Sequence, residues 1–287
     1  MKYKLTEKTM LCNGRKLYQI QRISDGLLGG YIESERNLSQ EGDCFVYDDA
    51  KVYGRAKVYG RAKVSKNAMV YRGAMVSGDA SVSGDAMVYG TARVYGTAWV
   101  CDTAWICDNA RVYGNARVFG DACVSGTTIV YGTARVSDNA KVSGDAVVSG
   151  DAWVFDNASV YVSASVSGNA RVCDNAKVFG DARVYGDAMV SENVQVYDNA
   201  KVYDTAWVFG DARVFGTARV YGYAIVRGTA RVYGTAIVRG SARVSGDARV
   251  SCNTWVSGDA GVYDNARVQI GNIAGEYVGG KKVHKLA

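Results

Sequence analysis

From Ala50 to Gly271 the chain repeats one six-residue pattern, A-x-V-x-x-x, 37 times without an insertion or deletion. The third position is Val in 36 hexads, with Ile106 the exception. The first is Ala in 34, with Thr128, Val194 and Thr254 departing. Gly or Asp holds the fifth position in 31 hexads, and Asp, Asn or Thr usually follows. An imperfect leading hexad, Cys44–Asp49, supplies Val46 in the same register.

Alternate residues of an extended chain share a face, so Ala and Val of each hexad point one way and the residues beside them the other. The remaining pair is turn chemistry: Gly accepts positive φ, and Asp, Asn and Thr bond nearby backbone. Each hexad therefore reads as one short strand and one corner. Three corners close a triangular coil of 18 residues, and parallel coils stack about 4.8 Å apart. Thirty-seven hexads predict about twelve coils and a prism roughly 60 Å long. A single hexad cannot bury its Val, whereas a stack buries a continuous Ala/Val column. The chain has no Pro, in keeping with a ladder that needs nearly every backbone N–H.

The hexads Val-Tyr-Gly-Thr-Ala-Arg and Val-Ser-Gly-Asp-Ala-Arg resemble the hexapeptide repeat of the hexapeptide acyltransferase superfamily. The resemblance covers about four-fifths of the chain and implies a left-handed parallel β-helix, against the right-handed rule of ordinary crossovers. The stretch Gly-Gly-Tyr-Ile-Glu-Ser-Glu-Arg-Asn-Leu-Ser, starting at Gly29, is similar to uncharacterised bacterial and phage proteins of this type. The expected fold is thus all-β: a single-stranded left-handed parallel β-helix, or solenoid, of about twelve triangular coils with a small N-terminal β cap. In residues 1–43, strand-like Lys2–Thr6 and Lys16–Ile23 flank Asn13-Gly14, a hairpin signal. Residues 1–43 read as a cap on an otherwise open apolar stack, 44–271 as the helix, and 272–287 as a closing cap or basic tail.

Members of that superfamily use a histidine base on a coil, often with a long loop walling the site, and work as trimers with acyl-CoA or acyl-carrier protein. This chain holds one histidine, His284, in the tail outside every hexad, and no loop interrupts the repeat. General-base catalysis needs a held group within reach of its proton, so no catalytic residue is assigned. The many Asp residues fall at corner positions that turns prefer. Ser residues recur on strands with no His beside them, which excludes a triad. Cys101 and Cys107 occupy equivalent positions of adjacent hexads and so different faces, which argues against a metal pair. No metal and no cofactor are expected. An acyl-CoA-dependent transferase remains the enzymatic alternative.

A lumen filled by Ala and Val leaves the faces, edges and ends for binding. Outward residues 18 apart stack on one face. Met69, Met87, Trp105 and Cys123 form an apolar ladder there, flanked by Tyr71, Tyr89 and Cys107, and make a candidate self-association patch. Further along the same face come Arg213, Arg231, Arg249 and Arg267, a candidate anion-binding ladder with Phe215 and Tyr233 alongside to accept stacking. Like charges about 5 Å apart repel by roughly 1 kcal/mol even in water, and an anionic polymer, nucleic acid included, would relieve that. Against this, Arg on a regular sheet solubilises it and lies over neighbouring Tyr rings. Asp211 and Asp247, two residues before Arg213 and Arg249, can offset charge. The repeat carries 24 basic and 19 acidic residues, a mild excess, and the whole chain is +6.

No apolar run approaches the ~18–20 residues of a membrane span, and Met-Lys-Tyr-Lys-Leu lacks the apolar core of a secretory signal. Seven cysteines without a C-x-x-C pair encode neither a disulfide framework nor a zinc site. The sequence therefore predicts a cytoplasmic, non-catalytic scaffold with no membrane contact. It binds an unidentified protein, an anionic polymer or a second copy of itself through its outer faces.

Overall fold

In a computed structural model the chain is described for residues 1–280 and 283–285, the last three and Ile270 as backbone only. It divides into two compact units, Met1–Ser143 and Gly144–Ala287. Among the described residues the helical structure is one 3-10 turn, Glu35–Asn37, and the rest is strand and corner.

In the first unit nearly every hexad forms a two-residue strand made of its second and third positions, the third fully buried. Strands pair in parallel with the strand 18 residues on, as the period predicts. Lys51 aligns with Met69, Met69 with Met87, Met87 with Trp105 and Trp105 with Cys123. A second stack runs Lys57, Met75, Arg93, Arg111, Ile129. A third runs Phe45, Lys63, Ser81, Trp99, Arg117, Arg135. The ladder does not stop at the strands. Lys51 N donates to Ala68 O (2.9 Å), Tyr53 N to Val70 O (3.1 Å) and Asn67 N to Gly84 O (2.9 Å). Second, fourth and sixth positions thus all donate to the next coil, and Pro at any of them would remove a donor.

The same unit begins with three longer strands, β1 (Tyr3–Cys12), β2 (Arg15–Arg22) and β3 (Leu28–Ile32). β1 and β2 form an antiparallel hairpin turning at Asn13 and Gly14, both at positive φ. β3 pairs antiparallel with β2 and parallel with Lys51–Val52, so it joins the hairpin to the coils. Ile32 aligns with Val52 and Leu38 with Val58, both at a spacing of 20. An aliphatic column therefore starts ahead of the first hexad. A Cβ on Gly29 would lie 2.5 Å from Val46 O, and one on Gly30 2.5 Å from Ala50 O, so only glycine lets the chain cross there. Asn37 is buried and donates to Gly54 O (3.1 Å) and Ala56 O (2.9 Å), carbonyls left over where the stack begins. Glu33 accepts the Gly54 N–H, and Tyr3 donates to Leu38 O at 2.7 Å. The Gly29–Ser39 stretch is thus occupied in building the first coil.

The second unit repeats the scheme. One stack runs Ser159, Lys177, Gln195, Arg213, Arg231, Arg249, Arg267 in 18-residue register. Near the end the register changes. Arg249 pairs with Arg267 and Val250 with Val268, but Thr254 pairs with Gly271 and Val256 with Ile273, a spacing of 17. Val262 then pairs with Val278, a spacing of 16. The unbroken repeat expected up to Gly271 is corrected here by a bulge between Val250 and Asn253. The hexad at Ala266 is one residue short, so Gly271 takes the Ala position and Ile273 the buried Val position.

Candidate functional site

The corners account for most of the acidic chemistry. Every fifth-position residue from Gly54 to Asp264 has positive φ, including the non-glycines Lys66, Arg72, Val162, Glu192 and Cys252. Where the residue is Asp, its carboxylate reaches the backbone one coil on. Asp48 accepts from Lys66 N, Asp102 from Gly120 N, Asp108 from Gly126 N and Asp198 from Gly216 N, all at 2.9–3.1 Å. Sixth-position side chains form ladders of their own: Asn67 to Asp85 (2.9 Å), Asn169 to Asp187 (2.7 Å), Asn193 to Asp211 (2.9 Å). These carboxylates satisfy turns, as their position predicts.

The clustering of Asp156, Cys173 and Asp174, whose ligand atoms lie within 4.8 Å of one another, has the same origin. Asp174 accepts from Glu192 N (2.9 Å) and from the Cys173 thiol (3.6 Å), and Asp156 accepts from Asp174 N (3.3 Å). Cys101–Asp102 and Cys107–Asp108 repeat the thiol–carboxylate contact. The trio is a corner seen twice.

Aromatic residues at the fourth position stack on each other. Tyr53, Tyr71 and Tyr89 lie 5.1 and 5.0 Å apart, nearly parallel. In the second unit Tyr161, Phe179, Tyr197, Phe215 and Tyr233 form a column with centroids 4.9 Å apart. This corrects one expectation. Phe215 is sandwiched between Tyr197 and Tyr233, so its faces are not offered to arginine or to a nucleobase. Cation–π contacts occur elsewhere, at Arg72 over Tyr89, Arg117 over Trp99 and Arg239 over Trp255.

Arg213, Arg231, Arg249 and Arg267 are consecutive partners of one parallel ladder. Three of them, Arg231, Arg249 and Arg267, line a groove of about 530 Å³ with Thr229, Asp247 and Asn265; Arg213 does not. The acidic neighbours form no ion pair with them. Asp211 accepts from Asn193 and Asp247 accepts from the Thr229 hydroxyl, whereas carboxylate–guanidinium pairs such as Arg15–Glu33, Arg22–Asp25 and Arg61–Asp79 form elsewhere. Among the described residues the groove arginines have no carboxylate partner. Thr229 and Asn265 belong to the site because corners border strands, a placement the spacing of 18 contains but which the Arg pattern alone does not draw out.

Met69, Met87, Trp105 and Cys123 also stack as consecutive partners. Trp105 is 46% exposed and the other three are partly covered. The hairpin contributes to the cover at this end: Leu17, Tyr31 and Tyr53 form a buried cluster with Met10, Cys12 and Tyr71 against it. Beside the ladder, Cys107 is in side-chain contact with Cys123 and Tyr89. The cysteine pair this fold creates is therefore Cys107 with Cys123, on a diagonal between coils. His284 lies in the short strand Val283–Lys285, its backbone opposite Val268, and its side chain is outside the described residues.

Five segments, 104–118, 110–126, 134–150, 182–198 and 242–258, match the YdcK beta solenoid repeat. No curated protein matches the chain. Each matched segment is about one coil long, and together with the parallel 18-residue ladders they make this chain a β-solenoid repeat protein.

Proposed function

We propose that the protein is a non-catalytic solenoid scaffold that acts by presenting its outer faces to a partner, with residues 1–43 capping its first coil. The observation that carries this reading is where the polar chemistry goes. The inward Ala and Val positions are fully buried, and corner carboxylates accept backbone N–H groups of the next coil. What stays accessible is rows of Arg, Lys, Trp and Tyr on the faces. Work in the cytoplasm, where free thiols stay reduced, accords with seven unpaired cysteines.

The test is an acyl-transfer assay with acetyl-CoA and longer acyl-CoA donors against amine and hydroxyl acceptors. The scaffold reading expects no turnover above the uncatalysed rate. Transfer that His284→Ala abolishes would replace it with the acyltransferase reading implied by the hexapeptide resemblance.

A further inference from the structure

We infer that the groove formed by Arg231, Arg249 and Arg267 binds the phosphate groups of a linear polyanion. The inference deepens the outer-face reading and rests on it. Three arginines sit on consecutive coils, whose strands lie about 4.8 Å apart, and line one groove. Such a row of like charges is self-repelling unless counter-charge is supplied. The chain supplies it only in part: Asp247, the one acid lining the groove, carries one negative charge against three guanidiniums and is held by Thr229. Arg231 and Arg249 are partly covered by their surroundings, so part of the side-chain entropy a ligand would otherwise remove is already spent.

The ligand class follows from geometry. A guanidinium fork matches both carboxylate and phosphate, but a carboxylate has two oxygens in one plane and satisfies one fork. A phosphate within a chain keeps two non-bridging oxygens on a tetrahedral centre, set to the side of the chain axis, so one group can face two coils and bridge two neighbouring arginines through charge-assisted hydrogen bonds. A row of forks one coil apart is therefore better met by successive phosphates than by carboxylates. Nucleobase stacking is limited to one ring face. Of the rings beside the ladder, Phe215 is covered on both faces, by Tyr197 and Tyr233, and Tyr233 on one. Recognition falls on the phosphates themselves, whether of an inorganic chain or of a nucleic-acid backbone.

The experiment measures binding of inorganic polyphosphate by calorimetry across a salt series. A single-stranded oligonucleotide and poly-glutamate of similar charge run in parallel. Polyphosphate binding should weaken as salt rises, and Arg231→Ser with Arg249→Ser should weaken it at least tenfold and flatten the salt slope. Arg93→Ser with Arg111→Ser, on another face, should change it less than twofold. Arg231→Lys with Arg249→Lys keeps the charge without the fork and should fall between. An oligonucleotide that binds as tightly as polyphosphate through the same arginines makes nucleic acid the source of the phosphates; much weaker binding makes it an inorganic chain. Poly-glutamate binding as tightly as polyphosphate overturns the phosphate assignment. No polyphosphate binding, or binding indifferent to the Ser variant, overturns the site. None of these results bears on the acyl-transfer assay, so the scaffold reading stands or falls separately.

Discussion

The side chain of Cys107 is in contact with that of Cys123, two residues short of a full coil away. Cys107 N also donates to Val124 O at 3.0 Å, which fixes the two strands side by side. That contact, and then burial, push the Cys107 thiol up, while Cys123, set against Cys107 and with Lys141 near, is held at about 7. Thiolate is the nucleophile, so Cys123 should alkylate with a rate that climbs as pH rises and reaches half its maximum near pH 7. Cys107→Ala removes the contact and should move that midpoint up towards the ordinary ~8.5, slowing reaction at pH 7 about tenfold. Iodoacetamide labelling with peptide mapping measures it. An unshifted midpoint in the variant would show that the contact does not tune Cys123.

Val162 occupies a fifth position at φ 62 and is 52% exposed. A β-branched residue is poorly suited to that conformation, and its exposed side chain returns little burial. Val162→Gly should therefore stabilise the protein by about 1 kcal/mol, the relief of left-handed strain exceeding the entropy cost of glycine. Urea denaturation would show the midpoint moving up; a downward shift contradicts the strain argument.

Val178 sits in the column of fully buried valines of the second unit. Val178→Asp places a carboxylate where no partner exists, a change expected to cost more than about 4 kcal/mol. Val178→Ala should cost far less and keep the far-ultraviolet circular dichroism. Equal losses from the two would mean that volume, not charge, is what the column defends.

Trp105 and Met87 are parallel neighbours of the apolar ladder. If that ladder joins two copies, Met87→Lys with Trp105→Lys should shift sedimentation velocity from oligomer to monomer with unchanged circular dichroism. A wild type that sediments as a monomer at high concentration removes the patch from consideration.

Most of the fold could be read from the chain because inward positions repeat every six residues and tolerate little besides Ala and Val. The stacking of Arg231 on Arg249, or of Met87 on Trp105, follows from counting 18. What could not be counted was everything that departs from the hexad. Ile32 and Leu38 join the aliphatic column at a spacing of 20, and Ile273 enters it after a hexad that lacks one residue. Both need the ladder to be seen. Side-chain partners at the corners were equally hidden: Asp247 lies two residues from Arg249 in sequence yet turns to Thr229 on the preceding coil. The Cys107–Cys123 contact is diagonal, and a reading by columns passes over diagonals.

The interior has a period of six, whereas the faces have a period of 18. A mutation that removes one whole hexad is therefore nearly silent for the core but rewrites the outside. Excising Ala206–Asp211 would leave Ala above Ala and Val above Val. Arg213 would exchange Gln195 for Met189 as its neighbour, and Arg219 would exchange Lys201 for Gln195. Only the loss of three hexads at once would keep the faces before and after the cut in line. Heredity in such a chain thus moves in two step sizes: six residues change what the protein shows, and eighteen change only how much of it there is.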